Sequence, residues 1–179
     1  MFGMLAHATT SEYSSGSKGE HGSQNGIELC CSQWYSYPWL YVLRSKNSDD
    51  AEKIAAFMEK AVANGNIGYA NTSNPDKDKR NTLFYEVLEN GFKPENVNKL
   101  CSCDCSSLTY CALYNVTRKA FVSNDSWTGM SPMTRHLEYY LLTTCGGFEK
   151  LTGDAYISSS DHLKRGDILI ADGHTAVWV

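Results

Sequence analysis

The chain has 179 residues, 42% of them hydrophobic, and sets 16 Lys and Arg against 20 Asp and Glu for a net charge of −4. Without a basic cluster it lacks the electrostatic footprint of a non-specific nucleic-acid binder, and no apolar run reaches the roughly 20 residues of a membrane span. One domain over residues 1–179 is expected, with side chains enough for a core. The first residues lack the basic-then-apolar order of a signal peptide, which implies synthesis without a leader.

In chain order, a short apolar start at Phe2–Ala8 leads into a Ser/Gly-rich loop over 9–26, so residues 1–26 form a loop-rich N-terminal segment. Residues 27–45, aromatic and β-branched with Pro38 as punctuation, read as two strand-like segments, or as one strand and an aromatic patch. The clearest helix is 48–65. Ser48 or Asp49 caps it, Ile54, Phe57, Met58 and Ala61 or Val62 form its apolar stripe, and Gly65 ends it. Residues 66–81 read as a charged loop and 82–91 as a short helix closed by Gly91. A further helix is expected from Ser106 onward, and another over 132–147, ended by glycines. From Phe148 the pattern turns strand-like, at 148–151, 166–172 and 174–179. Helices first and short strands last is an α+β order: N-terminal helices packed on a small antiparallel sheet.

The seven cysteines are Cys30, Cys31, Cys101, Cys103, Cys105, Cys111 and Cys145, and "CSCDCSSLTYC" holds four of them. A Cys-x-Cys-x-Cys run is a poor match to structural zinc, which takes ligands in two separated pairs, so no metal is expected. A disulfide formed in an oxidising medium stays open. Cys105 differs from the rest because it opens the expected helix. There the dipole and the unpaired N–H groups favour thiolate and can bind an oxyanion. Cys111, on the apolar face of that helix, reads as a small buried hydrophobe. A thiolate needs a base. Among five histidines, His136 reads as a surface or edge residue, His162 lies in a polar loop, and His7 and His21 lie in the N-terminal segment. His174 opens the apolar run "TAVWV" behind Asp172-Gly173, where a strand would hold its ring rigidly.

"DCSSLTYCAL" (104–113) together with "LKRGDILIADGHTAVWV" (163–179) resembles the NlpC-type cell-wall cysteine peptidases, papain-like enzymes related to the CHAP amidases. The upstream chain is similar, more loosely, to the N-terminal part of NlpC-type lysins of phages. The resemblance implies a papain-like NlpC/CHAP fold with residues 27–179 as its core. It implies Cys105 as nucleophile and His174 as base, with Asp104 binding the polar end of the substrate. Ser106 or Ser107 would line the cleft, and Tyr69 would contact substrate beside the oxyanion site. It further implies no cofactor, a monomer, bacterial peptidoglycan as partner, no membrane, and a phage endolysin made in the host cytoplasm that reaches the wall after release.

One departure stands out. The family orients its histidine from the following strand, and this chain ends at Val179 within the strand that His174 opens. His7, Glu12 and Asp167 are candidates for that role, as is a longer parent chain, which could also carry a wall-binding domain beyond 179. Competing readings are a papain-like protease or transglutaminase acting on proteins, and a non-catalytic wall-binding module whose run Trp34, Tyr35, Tyr37, Trp39 and Tyr41 stacks on sugars. The plainer role for those rings is packing of the core and cleft floor. Which wall bond is cut is not legible: the muramoyl–L-Ala amide, the γ-D-Glu bond and a cross-bridge all remain.

Overall fold

A computed structural model describes residues 3–9, 28–71 and 78–179. Strands β1 (Leu5–Ala8), β2 (Leu29–Ser32) and β3 (Tyr41–Ser45) precede helix α1 (Ser48–Val62). Then come β4 (Ile67–Tyr69), α2 (Thr82–Glu89), β5 (Cys101–Cys103) and α3 (Cys105–Thr117), followed by the single turn α4 (Leu137–Tyr139) and strands β6 (Phe148–Leu151), β7 (Ile168–Ala171) and β8 (His174–Trp178). Six strands form one sheet in the order β2-β1-β8-β7-β3-β6, every pairing antiparallel. The fold is therefore α+β on an antiparallel sheet.

The sheet is buried on both faces, so its alternation sorts apolar residues between two layers rather than between core and water. Ala6, Ala8, Leu43, Ile168, Ile170 and Val177 join the helices in the main core. Leu5, Val42, Leu169, Ala171 and Ala176 pack on the opposite side with Trp39. α1 and α3 cross the first layer. Ile54 and Met58 of α1 are fully buried, each a contribution of about 1.5–3 kcal/mol. α3 is the central helix, with every residue from Cys105 to Leu113 buried.

Local chemistry explains most boundaries. The cap of α1 is Asn47, one residue before the expected Ser48 or Asp49; its side chain accepts the N–H groups of Asp49 and Asp50. Asp49 and Asp50 instead place negative charge in the first turn, where the helix dipole favours it. Residues 28–45 do hold two strands, β2 and β3, but these are not neighbours in the sheet. Half of the sheet comes from the first 45 residues, so the helices-first, strands-last order does not hold.

Three further readings are corrected. Within the expected charged loop, Ile67–Tyr69 pairs in parallel with Cys101–Cys103 as β4 and β5; a three-residue strand carries no periodic signal of its own, and its partner lies beyond α2. Residues 132–147 do not form one regular helix. They make a 3₁₀ turn at Thr134–His136, then α4, then a π-helical turn at Tyr140–Cys145. His136 is buried, not at an edge: its Nδ1 accepts the Met133 N–H at 3.1 Å and its Nε2 pairs with Asp125 at 2.9 Å. The loop read over 9–26 lies outside the described residues beyond Thr9, as does Glu12. Among the described residues no helix is long and apolar enough to cross a membrane.

Candidate active site

The site is built around the head of α3. Asp104 caps the helix: its carboxylate accepts the Ser107 N–H at 2.8 Å, and the Ser107 hydroxyl bonds the Asp104 N–H in return, a reciprocal capping box. The same carboxylate takes a two-pronged ion pair from Arg80, at 2.5 and 2.9 Å. Arg80 is 1% exposed, and its remaining donors reach Ser106 Oγ, Ser131 and the Pro132 carbonyl. One guanidinium thus ties the head of α3 to the 131–132 segment. A buried Arg fully spent on hydrogen bonds is tolerated because each charge has its partner.

Cys105 is the first helical residue and lines a cleft of about 240 Å³ with Tyr69, Asn71, Asp104, Ser106, Met133, Thr134, Arg135, Asp172 and Gly173. Tyr69 reaches it through the parallel β4–β5 pair, which sets Tyr69 opposite Cys103. The β7–β8 turn closes the far side. Gly173 turns the chain at φ 71°, a left-handed conformation that glycine adopts without strain. The thiol donates to the Gly173 carbonyl at 3.8 Å, and the Thr175 N–H and the Thr134 side chain also face the sulfur. The residues on either side of His174 therefore both touch Cys105, while the thiol itself bonds a carbonyl and not an imidazole.

His174 is held through its Nε2. Its Nε2 lies 3.1 Å from His7 Nδ1 and 3.5 Å from the Tyr35 hydroxyl. Tyr37 and Trp39 flank the ring at centroid distances of 5.5 and 5.9 Å. Trp39 is buried; this part of the aromatic run packs the site's core. His7 comes from β1, which pairs with β8 in the position a strand following β8 would occupy. Of the three candidates for orienting His174, Asp167 is committed to Arg44 at 2.6 and 2.7 Å and to the Lys164 N–H.

The electrostatics differ from the expectation of an activated thiolate. Burial, then the Asp104 carboxylate, pushes the Cys105 thiol up to about 12 against the opposing pull of the Thr175 N–H, Thr134 and Arg80. Burial lowers His174 to about 4, helped by His7, and burial alone lowers His7 to about 4. Near neutral pH the resting site is a neutral thiol beside two neutral rings. Desolvation outweighs the helix end because the whole first half of α3 is buried.

Of the residues singled out in the sequence, Tyr69, Asp104, Cys105 and Ser106 line one cleft, and His174 adjoins it through Gly173. Ser107 does not line it; its hydroxyl is spent on the capping box. Arg80 and Thr134 were not legible as site residues, and Tyr35 was legible only as one ring of the aromatic run, not as a partner of His174. Arg80 sits in a lysine- and aspartate-rich stretch with no motif around it. None of the seven cysteines is joined in a disulfide, and among the described residues no group of His, Cys, Asp or Glu is arranged to hold a metal.

Fold and site together define an α+β domain organised around a cleft cysteine at a helix head and a histidine pair on adjacent antiparallel strands. The chain belongs to the endolysin-like domain family, which matches residues 5–179. No curated protein and no solved structure matches it.

Proposed function

We propose that this domain is a peptidoglycan hydrolase of the NlpC/CHAP type with a papain-like arrangement, acting as the catalytic unit of a phage endolysin. Cys105 is the nucleophile and His174 the base. One observation carries the reading: Cys105 heads a buried helix in the cleft, its sulfur touches the residues on both sides of His174, and Nε2 of His174 is held by His7. Family membership supplies the substrate class, the bacterial cell wall.

The chemistry follows from neutral partners. His7 and Tyr35 occupy His174 Nε2, so Nδ1 takes the thiol proton as the sulfur attacks an amide carbonyl carbon. The oxyanion forms at the head of α3, where the Cys105 and Ser106 N–H groups lie beyond the reach of intrahelical acceptors, with Tyr69 across the cleft. Collapse breaks the C–N bond, and the imidazolium gives its proton to the leaving amine. Water, deprotonated by His174, then cleaves the thioester and restores the thiol. Ser106 shapes the wall beside the nucleophile and Ser107 holds the helix cap. A substrate amine at this wall meets the Asp104–Arg80 pair, not a lone carboxylate. No step requires a cofactor.

The test is turbidity loss of purified cell walls, with mass spectrometry of the released fragments. Wild type should generate new amino and carboxyl termini at one bond type, and Cys105→Ala should generate none. Lysis that persists in Cys105→Ala would remove the nucleophile assignment. Cleavage of glycan alone would remove the amidase reading.

A further inference from the structure

Among the described residues that line the Cys105 cleft, Asp104, Arg135 and Asp172 carry charge. Two of them are already matched. The Asp104 carboxylate accepts both prongs of Arg80, the Ser106 hydroxyl and the Ser107 N–H. Arg135 faces the Asp125 carboxylate at 3.4 Å and turns Nη1 to the Met133 sulfur at 3.2 Å. Asp172 is the exception. It is exposed, and among the described residues its carboxylate has no cation within ion-pair reach and accepts no hydrogen bond.

The turn does not account for an aspartate there. Ala171 pairs with His174, so Asp172 and Gly173 make a two-residue hairpin loop. Gly173 takes the positive φ and Asp172 does not, so the left-handed tolerance that brings Asp to such loops is not used. Position gives the carboxylate its meaning. The next residue, Gly173, accepts the Cys105 thiol, and consecutive Cα atoms are only about 3.8 Å apart. An amide held at the sulfur therefore has its neighbouring residues beside Asp172. The His7 and His174 rings are neutral near pH 7, so the histidine pair supplies no offsetting charge.

We infer that Asp172 is a specificity-determining residue that pairs with a primary ammonium of the substrate, a free α-amine or the side-chain amine of a diamino acid, within a residue or two of the scissile amide. This rests on the wall-peptidase reading but is measured by binding, not by turnover. Cys105→Ala, alone and combined with Asp172→Asn, is cosedimented with purified cell walls, native or treated with acetic anhydride. At a pH of about 6.5 the reagent caps mainly α-amines, whose pKa is about 7.7–8.0, and at about 10 it also caps lysine-type amines, near 10.4. On native walls Asp172→Asn should weaken binding roughly three- to fivefold, the upper range for an exposed ion pair, and Asp172→Glu should restore most of it. On walls acetylated at the higher pH the proteins should bind alike. A difference already lost after the milder treatment identifies an α-amine, and one lost only after the fuller treatment a side-chain amine. Equal binding to native walls, or a difference that survives full acetylation, overturns the inference. Loss of the peptidase reading would show separately, as lysis by Cys105→Ala.

Discussion

Acidification offers a direct test of the histidine pair. His7 and His174 are both held near 4 instead of 6.5. A folded-state value below the unfolded one means that the unfolded chain takes the proton first. Above about pH 6.5 neither state is protonated and the pair carries no penalty. Between 6.5 and about 4 the unfolded chain gains protons that the folded chain refuses, so stability falls as pH falls, and below about 4 the loss levels off. His7 is only 6% exposed. At about 1.4 kcal/mol per tenfold change in proton affinity, the gap from 6.5 to about 4 is worth about 3 kcal/mol for that ring. His174 adds in the same direction, and the second proton meets a cation 3.1 Å away. The assay is urea denaturation from pH 7 to 4.5 on wild type and His7→Asn. Carboxylates titrate in both chains, so the difference isolates the ring. Wild type should lose stability more steeply, by up to about 1.4 kcal/mol per pH unit for the proton removed. Parallel loss in the two chains, or a His7 ring that titrates near 6.5 by NMR, would refute the reasoning.

The thiol makes an opposite demand: alkylation of Cys105 by iodoacetamide should keep accelerating above pH 9, since its value lies near 12, and a rate plateau below neutrality would contradict it. Arg80→Met should lower stability by about 3–5 kcal/mol at neutral pH, because it strands a buried carboxylate. Adding Asp104→Asn should recover part of that loss, and a double variant no better than the single would place the effect outside the ion pair. Asn47→Ala should cost about 1 kcal/mol through the lost cap of α1, read by thermal melting, with Asn47→Asp close to wild type; equal losses in the two would deny the cap its role.

Several features were settled by the sequence alone, and all are local. The stripe Ile54, Phe57, Met58 and Ala61 specifies the buried face of α1 because residues three and four apart share one side of a helix. The polar stretch from Asp104 ahead of the helically spaced Leu108, Cys111 and Ala112 places Cys105 in the first turn of α3. The Asp172-Gly173 turn before an apolar run specifies the β7–β8 hairpin and puts His174 at its mouth. Other features needed the tertiary structure. His7 and His174 lie 167 positions apart; only the pairing of β1 with β8 brings them together, and no short-range pattern encodes which strands become neighbours. Arg80 is indistinguishable in sequence from the lysines around it until Asp104 and Ser131 close over it. The resting charge of Cys105 belongs to the same group. A helix head favours thiolate in any sequence that forms one, but desolvation depends on everything packed around the sulfur, and here it prevails.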